Sequence, residues 1–452
     1  MSSDWTLTTV EDIAASRPAA LATGPFGSSI SAKYFADAGV PVIRGANLSA
    51  DVAIRLSDEG LVFVSEAKAA EFQRSVAERG DLVFTCWGTI NQVGLIDRSS
   101  RYNRYIISNK QMKLSVDPMK ADSLFLYYLF SGPDKQAEIL SNGIGSSVPG
   151  FNLGQLKKHE LLLPPVSDQR RIAATLGLLD DRIALLRETN ATLEAIAQAL
   201  FKSWFVDFDP VRAKQLGLAP AGMDEATAAL FPATDEEWQA QASRLAVSDM
   251  IASGALLIGD GYRAKNDELG QPGVPFVRAG DLDAGQITPT KDYLAEPAVK
   301  AAFTKMAKPG DTAFTSKGTI GRFAFVDDAS GAAVYSPQVC FWRSLRTDIV
   351  EPAYLHYWMK SAAFKIQVDV VRGQAAIMDY VSLADQRRMR LDIPPIGVQK
   401  RFAEVGRVIL EQISSNRAMA TYLTSVRDAL LPRLISGQLR LPKVEADADL
   451  FT

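Results

Sequence analysis

Two stretches of the chain carry apolar or small residues at alternating intervals of four and three positions. The first series is Ile172, Leu176, Leu179, Ile183, Leu186, Asn190, Leu193, Ala197, Leu200 and Trp204. The second series is Phe402, Gly406, Ile409, Ile413, Asn416, Ala420, Leu423, Arg427, Leu430 and Leu434. Gly406 and Arg427 are poor seam residues, but the spacing holds throughout. Such a heptad pattern predicts two long helices that each bury one seam.

A pair of prolines precedes each series, Pro164-Pro165 and Pro394-Pro395. Proline lacks the N–H of a helical residue and clashes with the preceding turn, so neither pair can lie inside a helix. We therefore predict spacer helices at residues 166–206 and 396–437, followed by a C-terminal tail at 438–452. At 1.5 Å per residue, a seam of about 33 residues is about 50 Å long.

Each seam contains one asparagine. If the helices run antiparallel, with Ile172 facing Leu434 and Trp204 facing Phe402, Asn190 faces Asn416. A buried asparagine pair fixes the register of a coiled coil at some cost in stability. We predict an intramolecular antiparallel coiled coil with this contact at its centre. The alternative is that each asparagine faces solvent at a frayed seam.

Both helices also carry a second apolar stripe. Its members are Leu178, Leu185, Ala199, Val408, Tyr422 and Ala429. A two-helix coil buries only one seam, so this stripe predicts either partner helices or packing against globular parts of the same chain.

The remainder of the chain contains an internal repeat. GDLVFTCWGTI from Gly80 and GDTAFTSKGTI from Gly310 are identical at 7 of 11 positions. VPVIRGANL from Val40 matches VPFVRAGDL from Val274 in the same order along the chain. Short β-rich runs broken by Gly, Asn, Asp and Pro alternate with helical runs at 124–130 and 354–359. We predict an α/β (α+β) fold with two tandem domains, at residues 1–165 and 246–395, and a linker at 207–245.

Composition narrows the class of protein. The 452 residues are 47% hydrophobic and 22% charged, with a formal net charge of -3, which disfavours a polybasic binder but says nothing about local patches. Cys86 and Cys340 show no metal or disulfide spacing. The first residues lack a secretory pattern and no apolar run approaches a membrane span, so we expect a cytoplasmic protein with no membrane partner.

Catalytic motifs are missing from the sequence. There is no phosphate-binding GxxxxGK[ST], and the double prolines lack the flanking residues of an amino-methyltransferase pocket. Pro133-Asp134 with Glu138 lacks the lysine of a metal-dependent nuclease motif. His159 and His356 fall at non-equivalent places of the repeat. We predict no catalytic residue, no metal and no cofactor in this chain.

Binding chemistry is present instead. From Arg98 to Lys113 the chain contains five cations and no acid, interleaved with tyrosine and asparagine. Cations at this density neutralise phosphates, while Asn, Gln, Ser and Arg read base edges. The alternative is a solvated strand face.

The repeated GTI block has different polar residues in its two copies. Trp87, Asn91 and Gln92 in the first copy correspond to Lys317, Gly321 and Arg322 in the second. A shared frame with different tips is typical of two copies that recognise different targets, although a glycine turn needed only for folding explains part of it. The predicted DNA contacts of the first domain are Arg44, Asn47, Trp87, Thr89, Asn91, Gln92, Arg98, Arg101, Tyr102, Arg104, Lys110 and Ser146. Those of the second are Arg278, Ser316, Lys317, Thr319, Arg322, Gln338, Arg372, Gln374 and Arg387.

Three segments carry a family resemblance: Asp168–Lys214, with its KSWFVDFDPVRAK end, SKGTIGRFAFV from Ser316, and LLPRLISGQL from Leu430. Together they resemble the DNA-specificity subunit of type I restriction-modification enzymes over nearly the whole chain. The resemblance implies two target-recognition domains, each reading half of a bipartite, asymmetric sequence in double-stranded DNA. It also implies that the helices form an antiparallel spacer.

The same resemblance implies that the spacer docks two modification (methyltransferase) subunits, which carry S-adenosylmethionine. Restriction subunits, which use ATP and magnesium, join the full complex. The second domain departs from this picture because it lacks the basic strand of the first. Two other hypotheses remain open from the residues: a coiled-coil adaptor that binds proteins and not DNA, and a self-sufficient restriction or methylation enzyme with divergent motifs.

Overall fold

The computed structural model describes residues 4–27, 29–143, 150–283, 285–288, 290–372 and 380–442. The chain divides into two compact units. Unit 1 is Met1–Leu186 with Met419–Thr452, and unit 2 is Arg187–Ala418. Both units mix helices and strands, and each includes part of two long helices, so the predicted fold class is confirmed.

Unit 1 is built from short strands and helices that begin near the N-terminus. Its strands are β1 (Thr6–Thr9), β2 (Leu21–Thr23), β3 (Phe35–Ala36), β4 (Val40–Ile43), β5 (Val62–Val64), β6 (Val76–Glu78), β7 (Leu82–Thr85), β8 (Val93–Leu95), β9 (Arg104–Ile107), β10 (Gln111–Leu114) and β11 (Glu160–Leu163). Its helices are α1 (Glu66–Ala70), α2 (Ser123–Ser131), α3 (Pro133–Ser141), α4 (Leu153–Lys157) and the start of α5 (Val166–Phe205).

Unit 2 repeats much of this order. Its helices are the end of α5, then α6 (Asp209–Gln215), α7 (Glu225–Ala229), α8 (Asp235–Gln241), α9 (Val247–Ala252), α10 (Glu296–Val299), α11 (Pro352–Met359), α12 (Ala362–Arg372), α13 (Leu383–Arg388) and most of α14 (Ile396–Ile435), whose last residues lie in unit 1. Its strands are β12 (Ser243–Ala246), β13 (Leu256–Asp260), β14 (Gly273–Val277), β15 (Leu282–Asp283), β16 (Gln286–Ile287), β17 (Tyr293–Ala295), β18 (Thr312–Thr315), β19 (Phe323–Phe325), β20 (Val334–Tyr335), β21 (Val339–Ser344) and β22 (Arg390–Ile393). The predicted linker thus holds three short helices, and β12 begins before residue 246.

The sheets show the duplication directly. In unit 1 the antiparallel sheet β2-β10-β7-β8 has the same connectivity as β13-β21-β18-β19 in unit 2. The pair β1-β11 likewise corresponds to β12-β22. Each unit also contains a parallel pair, β4 with β9 and β14 with β20. The sequence repeat therefore encodes a repeated domain.

Each domain packs a buried helix between its sheet and the long helices. In unit 1, Phe125 and Phe130 of α2 share a core with Phe84 of β7 and Leu176 of α5. In unit 2, Trp358 of α11 shares a core with residues of β18, β21 and both long helices. Both helices are apolar on nearly every side because they have protein on nearly every side.

The predicted seam lies between α5 and α14 in both units. In unit 1, Ile183 and Leu186 are buried against Ala420, with Leu423 beside them. In unit 2, the Trp204 and Phe402 rings meet edge to face, with centroids 6.1 Å apart. Residue numbers rise along one helix as they fall along the other, so the helices are antiparallel.

Arg427 lies buried in the seam because a buried carboxylate neutralises its charge. Its side chain is 3% exposed and its Nη1 lies 2.8 Å from Oδ1 of Asp180, which is 1% exposed. The Tyr128 hydroxyl donates to the other Asp180 oxygen over 2.5 Å. Gly406, the other poor seam residue, leaves room for the Tyr357 ring, which lies 3.4 Å from where a Cβ would stand.

The second apolar stripe stays at the surface. Leu178 is 71% exposed and Tyr422 is 64% exposed in unit 1, while Val408 is 63% exposed in unit 2. Leu185 is 50% exposed, and Ala199 and Ala429 are also exposed. The globular domains of the chain therefore do not cover this stripe.

Candidate nucleic-acid interface

Three separate segments meet at one edge of the domain in unit 1. They are the GTI loop after β7 (residues 86–92), the turn between β9 and β10 (residues 108–111) and the segment 150–151; we call them together the first junction. The Cys86 N–H donates to the Lys110 carbonyl over 2.7 Å, and the Phe151 N–H donates to the Cys86 carbonyl over 2.8 Å. The middle of the junction is thus fixed by backbone hydrogen bonds, which do not depend on side-chain identity.

Unit 2 contains the same arrangement, formed by residues 316–322, 336–339 and 380–381, which we call the second junction. The Ser316 N–H donates to the Gln338 carbonyl and the Val381 N–H donates to the Ser316 carbonyl, each over 3.0 Å. Cys86 corresponds to Ser316, Lys110 to Gln338, and Phe151 to Val381. The frame is conserved between the copies while the side chains differ.

The turn in each junction is tied to the neighbouring sheet. The Ser108 N–H donates to the Ile43 carbonyl at the end of β4 over 3.0 Å. The Ser336 N–H donates to the Val277 carbonyl at the end of β14 over 2.9 Å. The loops that carry the candidate side chains are therefore anchored on a rigid scaffold.

The candidate side chains of the first junction are either exposed or half-buried. Trp87 is 51% exposed, and Thr89 and Lys110 are exposed. Asn91 and Gln92 are half-buried and line a small cavity of about 80 Å³ together with Gln136 and Ser131. This part of the junction offers amide and hydroxyl donors and acceptors.

The second junction offers different groups. Thr319, Arg322 and Gln338 are exposed, and the Lys317 ammonium lies 4.5 Å from the centre of the Tyr380 ring. The cavity beside its GTI loop measures about 370 Å³ and has an apolar wall formed by phenylalanines of β18, β19 and α12. The two copies therefore present a polar and a more apolar, cationic surface at equivalent places.

Asn47 does not reach the surface, and this corrects its assignment as a DNA contact. Its side chain is 1% exposed, and its amide oxygen accepts from the Arg44 N–H over 3.0 Å. Its amide nitrogen donates to the carbonyls of Ser57 and Glu59 over 2.9 and 3.0 Å. In unit 2, Asp281 accepts from the Arg278 N–H in the same way, over 2.8 Å. A carboxylate and an amide share this role, so the position holds the loop.

Ser316 is corrected for the same reason. Its side chain is fully buried, and its hydroxyl faces the Gln338 carbonyl at 3.4 Å. Its backbone supports the second junction, but its side chain offers nothing to a ligand. The sequence alone does not show whether a serine hydroxyl faces solvent or a buried carbonyl.

The basic run of unit 1 is partly neutralised by acids from distant parts of the sequence. Arg98 pairs with Asp181 over 2.7 Å, and Arg104 pairs with Glu66. The Arg101 guanidinium lies 5.5 Å from the centre of the Tyr102 ring. Exposed ion pairs contribute only about 0–1 kcal/mol, so a phosphate can compete for these arginines.

The arginines at the ends of β4 and β14 are also engaged. Arg44 donates from Nη2 to the Gly60 carbonyl over 2.8 Å. Arg278 pairs with Asp292 and lies over the Phe276 ring. Both side chains lie near their junction turns but are already held by the protein.

Arg387 is exposed on α13 beside the second junction. Its neighbour Gln386 is fully buried and donates to the Val381 carbonyl over 3.1 Å, which ties α13 to the junction. Ser146 and Gln374 lie outside the described residues, as does the side chain of Arg372. These three predictions stay predictions.

The described part of the chain holds no cluster of three or more His, Cys, Asp or Glu that could bind a metal ion. Among the described helices, none is both long and apolar enough to cross a membrane. Burial raises the pKa of the Cys86 thiol to about 12, so this thiol is protonated at neutral pH.

Comparison with known proteins places this frame in context. The profile of the type I restriction modification DNA specificity domain matches residues 4–195. The type I restriction enzyme MjaIX specificity subunit of Methanocaldococcus jannaschii is 24% identical over 391 residues, covering 84% of this chain and 82% of that protein. The type I restriction enzyme HindI specificity subunit of Haemophilus influenzae is 24% identical over 384 residues, covering 75% and 82%.

A solved structure shares the fold. It is the crystal structure of the type I restriction-modification system S subunit from M. genitalium, with a TM-score of 0.56 and 15% sequence identity. The match covers 95% of this chain and 96% of that one.

Proposed function

We propose that the chain is a DNA-specificity subunit of a type I restriction-modification system, the part of such a complex that selects the DNA sequence. The profile match over residues 4–195 and the two relatives that are 24% identical support this proposal. In this proposal the chain is not the catalyst. Each domain reads one half of a bipartite, asymmetric target in double-stranded DNA, and partner subunits carry out the chemistry.

The observation that carries the proposal is the pair of junctions. Both copies build the same three-segment frame from backbone hydrogen bonds, and each covers it with different side chains. Base edges are distinguished by the donors and acceptors that reach them, so Thr89, Asn91 and Gln92 would select one sequence. Thr319, Arg322 and Gln338 would select another.

Phosphate contacts would position each domain without selecting bases. Lys110 and Arg387 are exposed beside the two junctions and are suited to this role. Arg98 and Arg104 would exchange carboxylates for phosphates on binding. Because the whole chain has a formal net charge of -3, we expect the partners to supply part of the phosphate neutralisation.

The exposed stripe on the long helices supports the proposal of protein partners. Leu178, Tyr422 and Val408 are each more than 60% exposed on helices whose seam is already buried. We infer that this stripe docks two modification subunits, which would bring S-adenosylmethionine and methylate adenines. Restriction subunits, with ATP and magnesium, would join the same complex in the cytoplasm, where the DNA lies.

The decisive experiment is a genome-wide map of methylated adenines in the host with and without the gene. A split motif that disappears with the gene is the expected result. If the purified chain together with its modification subunits shows no salt-sensitive DNA binding, the adaptor hypothesis replaces this one. Methyl transfer by the purified chain alone would instead indicate a self-sufficient enzyme.

A further inference from the structure

Each junction presents one partly exposed aromatic ring, but from a different segment. In the first junction the ring belongs to Trp87 of the GTI loop, which is 51% exposed. In the second junction the equivalent GTI-loop position is Lys317, and the ring belongs to Tyr380 of the closing segment, which is 41% exposed. The residue opposite Trp87, at the place equivalent to Tyr380, is Gly150.

The bridge between these segments is the same in both copies. Trp87 pairs with Gly150 and Lys317 pairs with Tyr380 in isolated antiparallel bridges. The aromatic residue therefore lies on one side of this bridge in the first copy and on the opposite side in the second. Sequence alignment of the repeat places tryptophan against lysine and glycine against tyrosine, but it does not show that the two positions face each other across a bridge.

Local packing holds each ring against the frame. A Cβ on Gly150 would stand 2.5 Å from the Trp87 ring, so the indole lies directly on the Gly150 backbone and tolerates no side chain there. The Tyr380 ring is covered on one side by the Lys317 ammonium, 4.5 Å from its centre. In both cases part of the ring is supported by protein and part is open to solvent.

Each junction also carries one lysine, again from a different segment. In the first junction it is Lys110 of the turn, and in the second it is Lys317 of the GTI loop. Both junctions thus contain one aromatic ring and one ammonium group, although each group comes from a different segment in the two copies. A ring stacks on the flat face of any base, and an ammonium group binds the adjacent phosphate.

We propose that Trp87 and Tyr380 are equivalent DNA-contacting residues, each of which packs its open ring face against a nucleotide of its own half-site. Lys110 and Lys317 bind the phosphate beside that nucleotide. This inference rests on the proposed function, and it adds Tyr380 to the residues that act on DNA. Aromatic contact of this kind unstacks a base step locally, which gives it a signature separate from affinity.

The test uses the full chain in complex with its modification subunits and the DNA motif found by methylation mapping. Trp87→Ala and Trp87→Phe probe the first half-site, and Tyr380→Ala and Tyr380→Phe probe the second. 2-Aminopurine placed at successive positions of each half-site reports unstacking through its fluorescence. Met119→Ala and Phe303→Ala, at residues 82% and 63% exposed in units 1 and 2, are matched controls.

We expect each alanine variant to weaken binding about tenfold and to abolish the fluorescence increase in its own half-site only. The phenylalanine variants should retain the fluorescence increase and bind within about threefold of wild type, because they keep a ring. Gly150→Ala should act like Trp87→Ala while keeping the tryptophan, since it displaces the ring. Thermal unfolding of every variant shows whether the junction remains folded.

Wild-type binding separates the two proposals. If the wild-type complex binds its motif but the alanine variants bind within twofold of it and leave the fluorescence change intact, the ring contact is overturned and the proposed function stands. A loss of equal size in Phe and Ala variants also overturns it. If the wild-type complex has no DNA motif, both proposals fail.

Discussion

The Asn416 side-chain amide donates a hydrogen bond of 2.8 Å to Oδ1 of Asn190 in the buried seam between α14 and α5. Both residues are 8% exposed, and the Asn190 amide donates in turn to the Ile413 carbonyl over 3.2 Å. This is the pair that an antiparallel reading of the two heptad series brings together. The contact ties the register of the two helices to a buried polar pair.

Removing one asparagine should therefore cost more than removing both. Asn190→Leu alone or Asn416→Leu alone leaves the other amide buried without its partner, and we expect each to lose about 1–3 kcal/mol in the free energy of unfolding. The double variant with leucine at both positions should recover most of that loss, because no buried polar group remains. Urea unfolding of the two single variants and the double variant measures the coupling. Strictly additive effects would show that the pair is not coupled.

The buried ion pair between Asp180 and Arg427 should behave differently. Arg427→Leu leaves a carboxylate that is 1% exposed, and losing one partner of a buried pair costs about 3–5 kcal/mol. Burial already raises the pKa of Asp180 despite the nearby arginine, so this pKa should rise further in the variant. A carboxyl whose folded pKa is raised contributes stability at low pH that is lost as the pH rises through that pKa.

The stability deficit of Arg427→Leu should therefore be smaller at pH 4.5 than at pH 7.5, when each is compared with wild type at the same pH. Urea midpoints at the two values test this. The variant Asp180→Asn with Arg427→Leu serves as the control, because it has no carboxylate to titrate and its deficit should change little with pH.

The buried His356 should give the free energy of unfolding a second dependence on pH. Burial holds its pKa well below the usual value of 6.5, and its Nε2 has no hydrogen-bond partner in the described part of the chain. The unfolded chain binds the proton more readily, so stability is lost as the pH falls below about 6.5. Unit 1 has leucine, Leu126, at the equivalent position. His356→Leu should therefore reduce the loss of unfolding free energy between pH 7.5 and 5.5, measured by urea unfolding. An unchanged slope would show that His356 is not its source.

Substitutions at Asn47 and Asn91 distinguish a residue that supports a loop from one that contacts DNA. Asn47→Ala removes the acceptor for the Arg44 N–H and the donor to two carbonyls. We expect a loss of about 1–3 kcal/mol in stability with an unchanged methylation motif. Asn91→Ala is the contrasting variant, because its half-buried side chain lines the cavity at the first junction and should alter the motif with little effect on stability. A motif changed by Asn47→Ala in a fully folded protein would restore Asn47 as a contact.

The sequence predicted what depends on local periodicity and missed what depends on distant partners. The heptad spacing located both long helices and identified the asparagine pair, because every seam position is determined by its own helix. Arg427 was classed as a poor seam residue because two of its partners, Asp180 and Asp51, lie far away in the sequence. The acids that neutralise Arg98 and Arg104 were invisible for the same reason, and so was the displacement of the aromatic ring from Trp87 to Tyr380.

Under the proposed function, the length of the helices sets the gap between the two half-sites. If the coiled coil separates the two recognition domains, lengthening both helices by one heptad preserves the seam and adds about 10 Å at 1.5 Å per residue. DNA rises 3.4 Å per base pair, so the unspecified gap in the methylated motif should lengthen by about three base pairs. Insertion beside Asn190 in α5 and at the facing point beside Asn416 in α14 keeps the asparagine pair in register. Methylation mapping would read the new gap, and a folded variant that methylates with the original gap would show that the helices do not set the spacing.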